Sequence, residues 1–280
     1  MSLPTKSEAV GTAASDSPAA TKLSFKNVTK GFDGMAGRTE ALEDFNLEIH
    51  PGEFVCLVGP SGCGKTTALN LAAGFVRPDR GQVLLDGHPI ERPGPDRAMI
   101  FQEHALFPWL TVRQNIEFGA KLAGKPKKQR EVTANFYLRL VQLEKFANSF
   151  AHELSGGMKQ RVQIARALAL SPVVFLMDEP FAALDAITRD LLYAEVQHIL
   201  ADTKQTVLFI THNVREAVIL GDRVVVMGGQ NPGRIKAEFE VDLPRPRAFE
   251  SPGVVQLASR TLELLKASGG LEEKPGAEDV

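Results

Sequence analysis

The chain has 280 residues, 44% hydrophobic and 24% charged, with a formal net charge of −2. That length allows one large domain or two small ones with a sizeable core, and the near-neutral balance gives no electrostatic case for a nucleic-acid partner. Cys56 and Cys63 are too few for a disulfide framework and are not spaced as a zinc pattern, so a reducing compartment fits best.

Residues 1–20 are rich in Ser, Ala, Thr and Pro, lack the apolar core of a signal peptide, and read as a disordered leader. Leu23–Val28 alternates like a strand, and Phe45–Ile49 does so again before Pro51-Gly52 turns the chain. Between them, Phe32 to Arg38 is glycine-rich and reads as a loop. Phe54–Val58 is a continuous apolar run, the pattern of a buried parallel strand. A helix is predicted over Thr66–Ala73, ended by Gly74. Val83-Leu-Leu-Asp-Gly87 reads as a hairpin edge with Asp-Gly as its turn. Ala98–Phe101 reads as another buried strand. From about residue 111 to 170 the periodicity is helical.

Val173–Met177 returns to buried strand, Arg189–Ala201 to helix, and Thr206–Ile210 to strand. Val214–Leu220 is a short helix and Arg223–Met227 a strand. This alternation predicts an α/β fold with a mostly parallel sheet, into which the helical stretch is inserted. No stretch reaches the roughly 18 apolar residues that a membrane span needs, so the chain is not expected to enter a membrane by itself. The tail beyond Pro244 holds Pro-Arg-Pro-Arg and closes on a charged, Pro-Gly-containing end that is expected to be mobile.

Three segments carry chemistry. Gly59-Pro60-Ser61-Gly62-Cys63-Gly64-Lys65-Thr66 fits GxxxxGK[ST] and lies between a strand and a helix, the context this phosphate-binding loop requires. Successive N–H groups there form an anion nest at a helix N-terminus. With Thr67, these residues are the candidate phosphate contacts. Lys65 would reach the β- and γ-phosphates, and the Thr66 hydroxyl would hold Mg²⁺. Asp178 ends an apolar strand and Glu179 follows. Taken alone, two acids there are a helix cap or a loop. Beside a phosphate loop, Asp178 suits Mg²⁺ and Glu179 suits an attacking water.

The third segment is Leu154-Ser155-Gly156-Gly157-Met158, which opens an amphipathic helix. Ser155 either caps that helix or, with the N–H groups of both glycines, faces a second phosphate. One triphosphate could not use both glycine loops of a single chain if the helical insert projects away from the core. A second copy would resolve this.

Together these motifs resemble the ATP-binding cassette (ABC) ATPases, the nucleotide-binding subunits of transporters, over roughly residues 22–235 and in the family's order. The resemblance implies a P-loop NTPase (RecA-like) core, an antiparallel β subdomain and an inserted α-helical subdomain. It implies an ATPase domain over 21–240, with 21–102 and 171–240 as β subdomain and core, 103–170 as helical subdomain, and 241–280 as a C-terminal tail. Gln102 resembles the Q-loop glutamine, which senses Mg²⁺ and nucleotide. Asp178 and Glu179 resemble the Walker B pair. Asp185, in Ala182-Ala-Leu-Asp185, resembles the D-loop, although it could simply cap the next helix. His212, otherwise an ordinary polar loop residue, resembles the switch histidine that contacts the γ-phosphate. Phe32 sits where the family stacks an aromatic on adenine, though Phe25 or Phe45 could be mistaken for it. Met158 stands where the widest consensus has Gln, and leaves Ser155 and both glycines intact.

The implied machine is a homodimer sandwiching two ATP molecules, each between Lys65 of one copy and Ser155 of the other. It would sit peripherally at the cytoplasmic face of the inner membrane, on an integral permease, and indirectly serve a solute-binding protein. Phe107 and Trp109, just after Gln102, would meet the permease, while Leu110 would be core. Leu106–Ile116, Met158, the Val214 and Asp222 segments and Pro232-Gly-Arg-Ile resemble the nitrate/sulfonate/taurine importer branch. The alternatives are a soluble ABC ATPase of translation or DNA repair, which tends to carry two cassettes or a coiled-coil insert, and a P-loop kinase or GTPase. The latter has no need of the Ser155 loop, and no Asn-Lys-x-Asp motif occurs.

Overall fold

A computed structural model describes residues 21–35, 37–101, 105–182, 184–203, 205–229 and 231–267. The first strands, β1 (Leu23–Gly34) and β2 (Gly37–Ile49), form a long hairpin. After β3 (Phe54–Val58) come α1 (Lys65–Ala73), β4 (Arg80–Leu85), β5 (His88–Pro89) and β6 (Arg97–Ile100). Helices α2 (Val112–Leu122), α3 (Lys127–Leu140) and α4 (Gly156–Ala169) follow. The chain then alternates through β7 (Val174–Asp178), α5 (Ala186–Thr203), β8 (Thr206–Thr211), α6 (Val214–Leu220) and β9 (Arg223–Gly228). It closes with β10 (Arg234–Glu240) and α7 (Pro252–Ala267).

Two sheets result. One is antiparallel, in the order β2-β1-β4-β5; the other runs β10-β9-β3-β8-β7-β6, parallel except for β10. Strands β3, β7 and β8 are buried at every residue, as their unbroken apolar runs require of strands covered on both faces. Alternate side chains divide between the two faces. Phe54, Cys56 and Val58 join Phe175, Met177, Val207 and Phe209 in a core with α4, α5, α6 and α7. Val55 and Leu57 join Leu176, Leu208 and Ile210 in a second core with α1 and the antiparallel sheet. A third core, built on Val112, Ile116, Leu138, Leu154 and Val162, holds α2, α3 and α4 together. These helices are inserted between β6 and β7, which pair side by side. Thr111 starts α2 with a capping box, its hydroxyl accepting from the Gln114 backbone N–H while the Gln114 side chain accepts from Thr111. Among the described residues, no helix is long and apolar enough to cross a membrane.

The structure corrects several expectations. Phe32 to Arg38 is no loop: Phe32 pairs with Thr39, Asp33 with Arg38 and Gly34 with Gly37 at the end of the hairpin. Both faces of this tip are exposed, so no hydrophobic alternation marks it. Strand β10, an edge strand with no fully buried residue, is a further element beyond those predicted; it alternates the half-buried Ile235, Ala237 and Phe239 with exposed charged residues. The segment expected as a tail after residue 240 folds as far as Ala267. Val254, Ala258 and Leu265 of α7 are buried in the first core, with Leu257 and Leu264 packed against it. Leu110, expected in the core, is only partly buried and belongs to none of the three clusters. The leader and the charged end lie outside the described residues.

Candidate functional site

The loop between β3 and α1 is held tightly from below. A Cβ at Gly59 would stand 2.7 Å from the carbonyl oxygen of Met227, on β9. One at Gly64 would stand 2.6 Å from that of Ala41, on β2, and Gly64 caps α1 at φ 89°. Gly62 also has positive φ, at 81°. Only glycine meets these demands at Gly64, where space and dihedral both exclude a side chain. Lys65 is 8% exposed, and its Nζ donates to the carbonyls of Gly59 and Pro60, both at 2.8 Å. The ammonium is thus held by its own loop. The Cys63 thiol is pushed up by burial.

Asp178 ends β7. Burial pushes its carboxyl up, while a hydrogen bond from the Thr66 hydroxyl draws it down; the Glu179 charge adds to the rise. The Thr66 hydroxyl and the Asp178 carboxylate therefore adjoin. Glu179 has φ 45°, unusual for a residue with a side chain, and its N–H donates to the Ile210 carbonyl at 3.0 Å. This left-handed turn presents its carboxylate to His212, which follows β8: Oε2 lies 3.0 Å from Nδ1. The imidazole is 68% exposed.

Phe32 is the exposed aromatic at the hairpin tip, 44% accessible, with Lys30 Nζ 5.3 Å above its ring. Phe25 and Phe45, its sequence rivals, are buried and stack edge-to-face 5.2 Å apart, as core residues do. Asp79 anchors this tip. It accepts from the Gly31 N–H at 2.8 Å, from Lys30 Nζ at 2.9 Å and from Arg38 at 2.5 Å. The Gly31 hydrogen bond, then Lys30, hold its carboxyl at about 2.

Ser155 is the N-cap of α4, its hydroxyl accepting from Met158 N–H at 3.3 Å. The bland capping role is therefore present. Ser155 and Gly156 are also exposed, leaving that helix start open to an anion. Among the described residues, no hydrogen bond or ion pair joins Ser155, Gly156 or Gly157 to the Gly59–Thr67 loop. Asp185 is exposed just before α5, where its carbonyl accepts from Arg189 N–H at 2.9 Å. Gln102 lies outside the described residues.

Two residues of α4 went unnoticed in the sequence. The buried Gln160 donates to the carbonyl of Pro180, directly after Glu179. The buried Gln163 donates to the Phe101 carbonyl at 2.9 Å, directly before Gln102. They tie the helix opened by Ser155 to Pro180, next to the acidic pair, and to Phe101, next to the end of β6. Two buried-face glutamines at i and i+3 were the only signal available. Nearby, Trp109 is 69% exposed, and Phe107 packs against Phe118 at 4.3 Å. Phe107, whose ring lies 5.6 Å from that of Trp109, lines an apolar groove of about 880 Å³ together with Met99, Phe101, Leu122 and Leu170.

The family model described as ABC transporter matches residues 42–182. An uncharacterized ABC transporter ATP-binding protein of Methanocaldococcus jannaschii is 48% identical over 88% of this chain and 91% of its own length. A nitrate import ATP-binding protein of Synechocystis is 47% identical, covering 79% of this chain and 83% of that protein. A taurine import ATP-binding protein of Roseobacter denitrificans is 45% identical, covering 79% and 82%. Among solved structures, the dimeric form of a bacterial ABC transporter cassette superposes with a TM-score of 0.71 at 32% identity, covering 79% of this chain and all of that one. The dimeric post-hydrolysis state of the same cassette, bound to ADP and Pi, gives 0.70 with the same coverage. The chain belongs to the ABC transporter family, as an ATP-binding and ATP-hydrolysing cassette.

Proposed function

We propose that this ATPase energises an importer of nitrate, taurine, a sulfonate or a related small solute. Two copies would dock peripherally on an integral permease, at the cytoplasmic face of the inner membrane. The solute class is supported by the names of the nitrate and taurine relatives. The pairing of two copies is supported by the dimeric form of the similar cassettes. A solute-binding protein would deliver the cargo. The apolar groove beside Trp109 is the docking surface we assign to the permease.

The observation that carries the catalytic reading is the 3.0 Å contact between Glu179 and His212, on the turns that follow β7 and β8. ATP would lie over the Gly59–Thr67 loop with its adenine on Phe32. Lys65 would exchange two neutral carbonyl acceptors for phosphate oxygens, a charge-assisted and stronger set of bonds. Glu179 would orient the attacking water and take its proton, and His212 would hold the γ-phosphate. Ser155, Gly156 and Gly157 of the second copy would close the site from above, with Asp185 at the seam between copies.

Thr66 and Asp178, with Gln102, are the residues to which we assign Mg²⁺. Among the described residues no group of three or more His, Cys, Asp or Glu could cage a metal. A hydroxyl and one buried carboxylate suit an ion that takes most of its remaining ligands from phosphate and water. Bound there, Mg²⁺ supplies neutralisation of the charge on the phosphate oxygens.

Glu179→Gln keeps the side chain's size and hydrogen-bonding capacity but removes the base. With the permease present, the variant is expected to bind ATP normally, turn over at least 100-fold more slowly, and accumulate as a closed dimer in size-exclusion chromatography with ATP. Near-normal turnover would refute the assigned role.

A further inference from the structure

His212 poses a mechanical problem. Its imidazole is largely in solvent, so packing cannot hold it against Glu179. Its position must come from its backbone, and the backbone is held from beneath by a buried polar chain. The Thr211 hydroxyl accepts from the Asn213 N–H at 2.9 Å, spanning His212 on both sides. The same hydroxyl donates to Glu216, which is 5% exposed on α6. Tyr193 of α5, fully buried, donates to the other carboxylate oxygen of Glu216 at 2.6 Å. Asn213 completes the turn by accepting from the N–H groups of Arg215 and Glu216 at 3.1 and 3.3 Å.

Tyr193 also faces the other half of the site. Its ring meets Phe181 edge-to-face at 5.1 Å, two residues beyond Glu179. One side chain of α5 thus touches both the segment that carries the acid and the carboxylate that fixes the histidine turn. Glu179, Arg189, Thr211, His212 and Glu216 line a single small cavity of about 60 Å³ between these elements. A buried carboxylate is a poor source of stability, since an apolar group of equal shape often serves as well. Its two hydroxyl donors instead confer direction.

We propose that Glu216, through Thr211 and with Tyr193 as its strut, is a positioning residue that sets His212 against Glu179. Because α5 begins directly after Asp185, the strut also ties the histidine turn to the helix that starts at the proposed seam between copies. This inference rests on the γ-phosphate role given to His212 above.

The test compares steady-state ATP hydrolysis of Thr211→Val, Thr211→Ser, Glu216→Gln and His212→Ala in the complete transporter, with ATP affinity and melting temperature measured alongside. Loss of one directing hydrogen bond is expected to lower kcat about tenfold in Thr211→Val. The KM for ATP should stay unchanged, as it should in Glu216→Gln. Thr211→Ser, which keeps the hydroxyl, is expected to restore turnover. If His212→Ala is slow while Thr211→Val and Glu216→Gln turn over like the parent, the positioning inference fails and the role of His212 stands. Equal losses in Thr211→Ser and Thr211→Val, or a rise in KM that accounts for the loss, would also overturn it. Normal turnover in His212→Ala would overturn both.

Discussion

Asp79 shows how a residue far from the phosphate loop can set the site. Its carboxylate gathers the Gly31 N–H, Lys30 and Arg38, and so fixes the hairpin tip on which Phe32 stands. Because its folded pKa is depressed from 3.8 to about 2, the stabilisation is complete above the unfolded value and is lost as pH falls through that interval. Asp79→Asn is therefore expected to lower the denaturation midpoint at neutral pH, with the gap from the parent closing below pH 4. A constant gap across pH would contradict the linkage. Nothing in the sequence marks Asp79, since its partners lie 41 to 49 residues away. Lys65, Asp178, Glu179 and Ser155 stand out as candidates in the sequence because they lie in contiguous motifs. Gln160 and Gln163 do not, because a buried glutamine becomes informative only once its carbonyl partner is known.

The elements follow the same division. Strands β3, β7 and β8 could be read directly, as each is buried on both faces. The hairpin tip could not, because both its faces meet solvent; β10 only half-buries its alternating Ile235, Ala237 and Phe239, and α7 follows a Pro-rich segment that reads as a tail. Arg247, 8% exposed, donates to the carbonyls of Val218 and Val241 at 2.9 and 3.0 Å and also to Leu243 and Gly221. Its backbone N–H donates to Gln197 of α5 at 2.8 Å. The Pro-Arg-Pro-Arg run that reads as part of a tail is in fact the joint between α5, the end of α6 and the segment leading to α7. Burial draws the Arg247 guanidinium down to about 10, still charged at neutral pH. Arg247→Met would leave several carbonyls buried without donors, at a cost of about 3 kcal/mol. Denaturant titration should show that loss, with hydrogen exchange accelerated across α7. Unchanged protection of α7 would mean that its apolar face alone holds it.

For the molecule as a whole, the two glycine loops stand on different bodies of the chain. Gly59–Thr66 stands on the parallel sheet, and Ser155–Gly157 stands on the helical insert. Gln160 and Gln163 link the insert to the site from inside the same copy. A partner copy is what we propose Ser155 itself serves. Dimers carrying Lys65→Ala and Ser155→Arg can separate the two arrangements, when two affinity tags ensure that only mixed dimers are recovered. Placed on different chains, the substitutions fall on one shared site and leave the other intact. Placed together on one chain opposite an unaltered partner, they damage both. ATP retained per dimer, measured in a Glu179→Gln background, is therefore expected to be a single nucleotide in the first arrangement and none in the second. Retention in the second arrangement and none in the first would show that each chain uses its own Ser155, and the composite site would be wrong.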